Sequence, residues 1–118
     1  MPTAADLVNK AKSRIREITP QELSGKMGHV TIIDVREAEE FLAGHLPGAI
    51  NIPRGLLEFR LDSHPIVGDR NCCIVLQCQG GGRSALATVV MQELGYQDVT
   101  NLAGGYAAWA AAGLPTER

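Results

Sequence analysis

Residues 73–84 read Cys73-Ile74-Val75-Leu76-Gln77-Cys78-Gln79-Gly80-Gly81-Gly82-Arg83-Ser84. The segment Cys73 to Gln77 is continuously apolar up to its last residue, β-branched at two positions and too short for a helix. It predicts a strand buried on both faces, the kind found in parallel sheets. Three glycines then break the run, and Ser84 to Leu94 follows as a helix with Gly95 placed as its stop. A doubly buried strand that turns directly into a helix is the building unit of a parallel sheet covered by helices.

The neighbouring sequence repeats that unit. Val30-Thr31-Ile32-Ile33-Asp34-Val35 is a second strand apolar on both faces, followed by a helix from Glu37 to Ala43 that Gly44 ends. Ala49-Ile50-Asn51-Ile52 is a short strand halted by Pro53, with a short helix over Leu56 to Leu61 behind it. Val99-Thr100-Asn101-Leu102 and a helix from Tyr106 to Ala112, stopped by Gly113, close the chain. At the other end, Ala4 to Arg16 places Leu7, Val8, Ala11 and Ile15 on one helical stripe. Thr19-Pro20-Gln21-Glu22 starts a further helix, with Thr19 as cap, Pro20 in the first turn and Glu22 completing a capping box. Strands and helices alternate over short connections, so an α/β fold with a mostly parallel sheet and helices on both faces is expected.

At 118 residues and 12.6 kDa the chain has room for one domain, residues 1–118, with residues 1–17 a helical extension packed on it. Apolar residues make up 45% and aromatics only 4%, so the core must be aliphatic. A net charge of −2 argues against nucleic acid as a partner. No apolar run approaches about 18 residues, which argues against a membrane span. Met1-Pro2-Thr3-Ala4 does not open a secretory leader, so a reducing, cytoplasmic setting is expected. The three cysteines are too few and too odd for a disulfide framework.

In such a sheet, ligands bind beyond the carboxyl ends of the strands, where Cys78 to Ser84 lie. Glycines let a backbone curl with its N–H groups inward, and the helix start adds partial positive charge. With Arg83 nearby, both effects favour a thiolate at Cys78 and an anion brought to it. The segment therefore reads as an activated cysteine nucleophile in an anion cradle. Gly80-x-Gly82-x-x-Ala85 formally matches a dinucleotide fingerprint, but the chain is short and no acidic residue ends the next strand. A Walker loop needs Gly-Lys-Ser/Thr where this chain has Gly82-Arg83-Ser84. A cysteine-phosphatase loop has five residues between Cys and Arg, and here there are four.

From about Ile18 to Leu114 the chain resembles the rhodanese family of sulfurtransferases in its single-domain form. Four ordered segments carry the resemblance: Ile33 to Glu37 with Glu40-Phe41; Gly44-His45-Leu46-Pro47-Gly48-Ala49-Ile50-Asn51-Ile52-Pro53; Cys78 to Ser84; and Leu94-Gly95-Tyr96 with Val99, Asn101-Leu102, Gly104-Gly105 and Trp109. The resemblance implies a small, mostly parallel five-stranded sheet with helices on both faces. It implies sulfur transfer from thiosulfate or another persulfide donor, through a persulfide on Cys78, to cyanide or a thiol. The amides from Gln79 through Gly80, Gly81, Gly82 and Arg83 to Ser84 would bind the donor, and no metal or organic cofactor is needed. A thioredoxin-like protein or a cysteine desulfurase is the kind of protein partner implied, with a persulfide relay or sensing module as the alternative to an enzyme of high thiosulfate turnover. Arg83 is the only charged side chain of the loop, which points to weak thiosulfate affinity.

Outside the loop, Asp34 and Arg36 end the strand beside the central one. The functional reading has Asp34 steadying the loop and Arg36 adding positive field, and the structural one pairs Arg36 with Glu40 one turn along. The structural role is favoured for both. His45 is expected to hold the Gly44–Pro47 turn, and His29 and His64 to be surface residues without partners. Trp109 and Tyr106 are expected to anchor the last helix. Cys72 and Cys73 are expected in the core. An extended strand puts Cys73 roughly 16 Å from Cys78, against about 5.5 Å for a disulfide.

Overall fold

The computed structural model describes residues 1–118. Five strands form it: β1 (Glu17–Ile18), β2 (Thr31–Asp34), β3 (Ile50–Asn51), β4 (Ile74–Gln77) and β5 (Val99–Leu102). They lie in the order β1-β5-β4-β2-β3, all parallel, with β4 at the centre. The helices are α1 (Ala4–Lys12), α2 (Pro20–Ser24), α3 (Ala38–Ala43), α4 (Leu57–Arg60), α5 (Gly82–Glu93) and α6 (Gly105–Ala111). This is the α/β architecture expected from the sequence.

The pleat divides the core in two. Ile33, Val35, Ile74, Leu76, Cys78 and Val99 face one side, where they meet Leu57 of α4 and Ala87 and Met91 of α5. Ile18, Ile32, Val75 and Leu102 face the other, against Leu23 of α2 and Trp109 of α6. Both faces of β2 and β4 are therefore dry, which is why their sequences are continuously apolar rather than alternating. The capping box at Thr19 forms as read: Glu22 N–H donates to Thr19 Oγ1 at 3.1 Å and Thr19 N–H to Glu22 Oε1 at 3.0 Å.

The largest departure from the sequence reading lies near the N-terminus. The helix stops at Lys12 instead of Arg16, and Glu17–Ile18 becomes the edge strand β1, in a stretch read as extension and connection. The cause is long-range. Asn101 N–H donates to Arg16 O at 3.0 Å and Ala103 N–H to Ile18 O at 2.9 Å, so β5 satisfies its outer edge with this segment. Ile18 gains burial beside Leu102 and Trp109. A two-residue strand carries no readable period. α1 instead packs on α5, with Val8 Cγ2 against Gly82.

Three smaller readings change. His64 is half-buried, and its Nδ1 accepts from the amides of Ile66 (3.1 Å) and Val67 (3.3 Å), so it organises its loop. His45 holds the end of α3 instead of the following turn: its Nδ1 is 2.8 Å from Phe41 O and its ring stacks on Phe41. Cys72 and Cys73 are half-buried at the start of β4, and only Cys72 packs against the core. Burial, with a hydrogen bond to Asp98, pushes the Cys73 thiol up.

Candidate active site

At the carboxyl end of β4 the chain leaves the sheet at Cys78 and enters α5 at Gly82. Cys78 is buried. Its Sγ faces three donors: the Gly81 amide at 3.1 Å, the Ser84 amide at 3.4 Å and the Ser84 hydroxyl at 3.4 Å. Donors so arranged, at the start of a 12-residue helix, stabilise negative charge on sulfur.

The loop is bent around that sulfur from behind. The Cys78 carbonyl accepts from Tyr106 N–H at 2.8 Å and the Gln79 carbonyl from Ala107 N–H at 3.0 Å, both in the first turn of α6. In a trans peptide the N–H points opposite to the C=O, so the Gln79 and Gly80 amides are turned away from α6. Neither donates a hydrogen bond within the protein. Two glycines make this approach possible. Gly81 caps α5 with φ +98°, and at Gly105, with φ +60°, a Cβ would strike the Cys78 and Gln79 carbonyls.

Asp34 and Arg36 form a buried pair beside the loop. Arg36 Nη2 is 2.8 Å from Asp34 Oδ2 and its Nε 3.1 Å from both carboxylate oxygens. Arg36 also donates to Gly44 O at 2.7 Å and to Gln79 Oε1 at 3.2 Å, and its guanidinium lies 4.5 Å from the Tyr106 ring centre. The expected Arg36–Glu40 pair is not formed. Glu40 instead binds Arg83, Oε1 to Nη1 at 2.8 Å and Oε2 to Nη2 at 3.1 Å. Asp34 is nearer to Arg36 and as fully buried, so it takes that cation, and the start of α3 brings Glu40 to the loop. The Arg83 hydrogen bonds hold the Glu40 carboxyl down at about 2.

The site thus gathers Cys78, Gln79, the glycines Gly80 to Gly82, Arg83 and Ser84, with Asp34 and Arg36 alongside. Sequence reasoning missed three supports. Tyr106, expected only to anchor its helix, supplies the amide that grips Cys78 and the ring under Arg36. Asn101 Nδ2 donates to the Gly81 carbonyl at 3.2 Å and to Glu17 Oε2 at 2.9 Å. Glu40 neutralises Arg83. Asn101 and Gly105 stood in the chain's closing signature, which was their only sequence signal. Trp109 does anchor the last helix, its Nε1 donating to Pro115 O at 2.7 Å. No three His, Cys, Asp or Glu side chains are grouped to hold a metal ion.

A family model described as "Rhodanese-like domain" matches residues 19–112. Among curated proteins, the chain is 42% identical to "Thiosulfate sulfurtransferase 16, chloroplastic" of Arabidopsis thaliana, over 72% of this chain and 78% of the relative. It is 35% identical to a "Sulfurtransferase" of Allochromatium vinosum, over 86% of this chain and 94% of the relative. A solved structure from Rhodopseudomonas palustris, described as of unknown function and a possible tyrosine phosphatase, superposes with a TM-score of 0.91 at 31% identity. It covers 99% of this chain and 96% of its own.

Proposed function

Because the chain belongs to the rhodanese-like domain family, we propose that it is a sulfurtransferase that carries sulfur as a persulfide on Cys78. The observation that carries this reading is the buried Cys78 sulfur facing three donors at the start of α5. The Cys78 thiolate attacks the outer sulfur of thiosulfate. A new S–S bond forms, the old one breaks, and sulfite leaves with the bonding pair. An acceptor thiolate or cyanide then attacks the terminal sulfur of the persulfide and returns the Cys78 thiolate. No net oxidant or cofactor enters. Hydrogen bonds from Gly81 and Ser84 stabilise charge on sulfur, and the unpartnered Gln79 and Gly80 amides donate to the anionic end of the sulfur donor. In this reading Cys78 is the catalytic residue, Gln79 to Ser84 bind substrate, and Asp34 and Arg36 position Gln79. In this reading the chain acts as one domain. No helix is long and apolar enough to cross a membrane.

A phosphatase is disfavoured on two grounds. Four residues separate Cys78 from Arg83, a smaller ring than a phosphoryl group needs, and Glu40 has taken up the arginine that would bind phosphate. The same ion pair favours a second reading, a persulfide relay working with a thioredoxin-like or desulfurase partner and turning thiosulfate over slowly. Intact mass after incubation with thiosulfate or glutathione persulfide tests the proposal. The protein should gain one sulfur atom, as should Cys72→Ser and Cys73→Ser, whereas Cys78→Ser should gain none. Loading of Cys78→Ser, or none in the unaltered protein, would overturn it.

A further inference from the structure

The loop contributes one ionisable side chain besides Cys78, and that side chain is not free. Arg83 is bound through two of its nitrogens by Glu40. The carboxylate is itself fixed, because Oε1 also accepts the Glu37 amide at 3.0 Å across the first turn of α3. The other nearby cation, Arg36, is matched by Asp34. Two cations and two carboxylates leave the site's surroundings without net positive charge. What remains for a ligand is neutral: the amides of Gln79 and Gly80, and the Gln79 side chain. Arg36 has only donors, so Gln79 turns its oxygen inward and keeps its NH2 for the ligand.

We propose that Glu40 is a specificity-determining residue: by holding Arg83 in an ion pair it steers sulfur uptake away from doubly charged inorganic donors and toward organic persulfides that carry at most one charge. The proposal rests on the sulfurtransferase reading above. Glu40 touches neither sulfur nor donor and acts through Arg83. The pair is partly open to solvent, with side-chain exposures of 42% for Arg83 and 34% for Glu40, so its field reaches a ligand but is screened by salt.

Glu40→Gln is the informative change, since glutamine keeps the oxygen that accepts the Glu37 amide while losing the charge and the second oxygen that accepts from Arg83 Nη2. Thiosulfate binding is measured by calorimetry at low salt in the Cys78→Ser background, where no turnover intervenes. Glu40→Gln should tighten binding about five- to tenfold, a modest figure for a partly exposed charge. High salt, or Arg83→Gln added to it, should remove the gain. With Cys78 present, the ratio of kcat/KM for thiosulfate to that for the persulfide of 2-mercaptoethanol should rise by a similar factor. Unchanged or weaker binding, a gain that survives Arg83→Gln, or an unchanged ratio would each overturn the proposal. A protein that binds thiosulfate as expected yet takes sulfur from neither donor would leave the Glu40–Arg83 coupling standing and sink the sulfurtransferase reading instead, and with it the donor preference.

Discussion

Replacing Gly105 by alanine asks whether the Cys78 loop is held in shape by the last helix. Gly105 sits at φ +60°, where a side chain costs about 1 kcal/mol. The added Cβ would overlap the Cys78 carbonyl and stand 2.8 Å from that of Gln79. Backbone is what it meets, so no rotamer change relieves it; α6 and the loop must separate. The bonds from Tyr106 N–H (2.8 Å) and Ala107 N–H (3.0 Å) are then lost, at about 1 kcal/mol each. The expected loss of stability is about 3 kcal/mol. Gly113→Ala supplies the reference: it has φ +75° with nothing within 4 Å of the new Cβ, so it should cost only the conformational term of about 1 kcal/mol. Urea denaturation gives the difference between the two variants, and intact mass against time gives the sulfur-loading rate under conditions where both are folded. Gly105→Ala should load much more slowly and Gly113→Ala at the unaltered rate. Equal destabilisation with full loading in both would refute the claim that α6 shapes the nucleophile loop.

Asp34→Asn should destabilise by about 3–5 kcal/mol in urea, because it leaves the Arg36 charge buried at 3% side-chain exposure without its partner; a loss under about 1 kcal/mol would show that Gly44 and Gln79 suffice. Ser84→Ala removes one of the three donors at Cys78 Sγ, a long one at 3.4 Å, and should slow sulfur loading roughly tenfold with little change in the urea midpoint. Acid should weaken the protein through Glu40. Its carboxyl falls from 4.5 to about 2 on folding, so the pair's contribution is complete above about pH 4.5 and is lost as the pH drops toward 2. Screening at a partly exposed pair limits this to about 1 kcal/mol, and the Glu40→Gln stability profile between these pH values should be flatter by that amount.

What was legible in the sequence was local. Doubly apolar runs announced β2 and β4 because both faces of each are covered, and the capping box at Thr19 involves residues three apart. The Cys78 loop was legible because its cysteine, glycines and arginine are contiguous. The choice among electrostatic partners was not. Arg36 had a plausible mate at Glu40 by helical spacing, but residue 36 precedes the helix, and burial rewards the nearer Asp34. Glu40 and Arg83 meet across 43 positions of sequence. β1 and the grip of α6 on Cys78 were hidden for the same reason: each is a backbone pairing supplied by a distant segment, and neither leaves a period or a charge pattern behind.

The register of the sheet explains why these distant groups converge on one cysteine. Asp34 on β2 pairs with Gln77 on β4, so the residues just past each strand end side by side. Arg36 and Gln79, each two positions further on, are therefore within reach of one another, and the bond between them follows. Beyond that point the two chains part. The chain from β4 curls at once into α5, its shape dictated by amides and glycines. The chain from β2 runs into α3 and brings Glu40 back over the loop. The ring of donors around sulfur and the charge at its mouth are thus set by different segments. If the proposed sulfur transfer holds, substitutions in α3 should retune which donors are admitted while the amides around the Cys78 sulfur stay where β4, α5 and α6 put them.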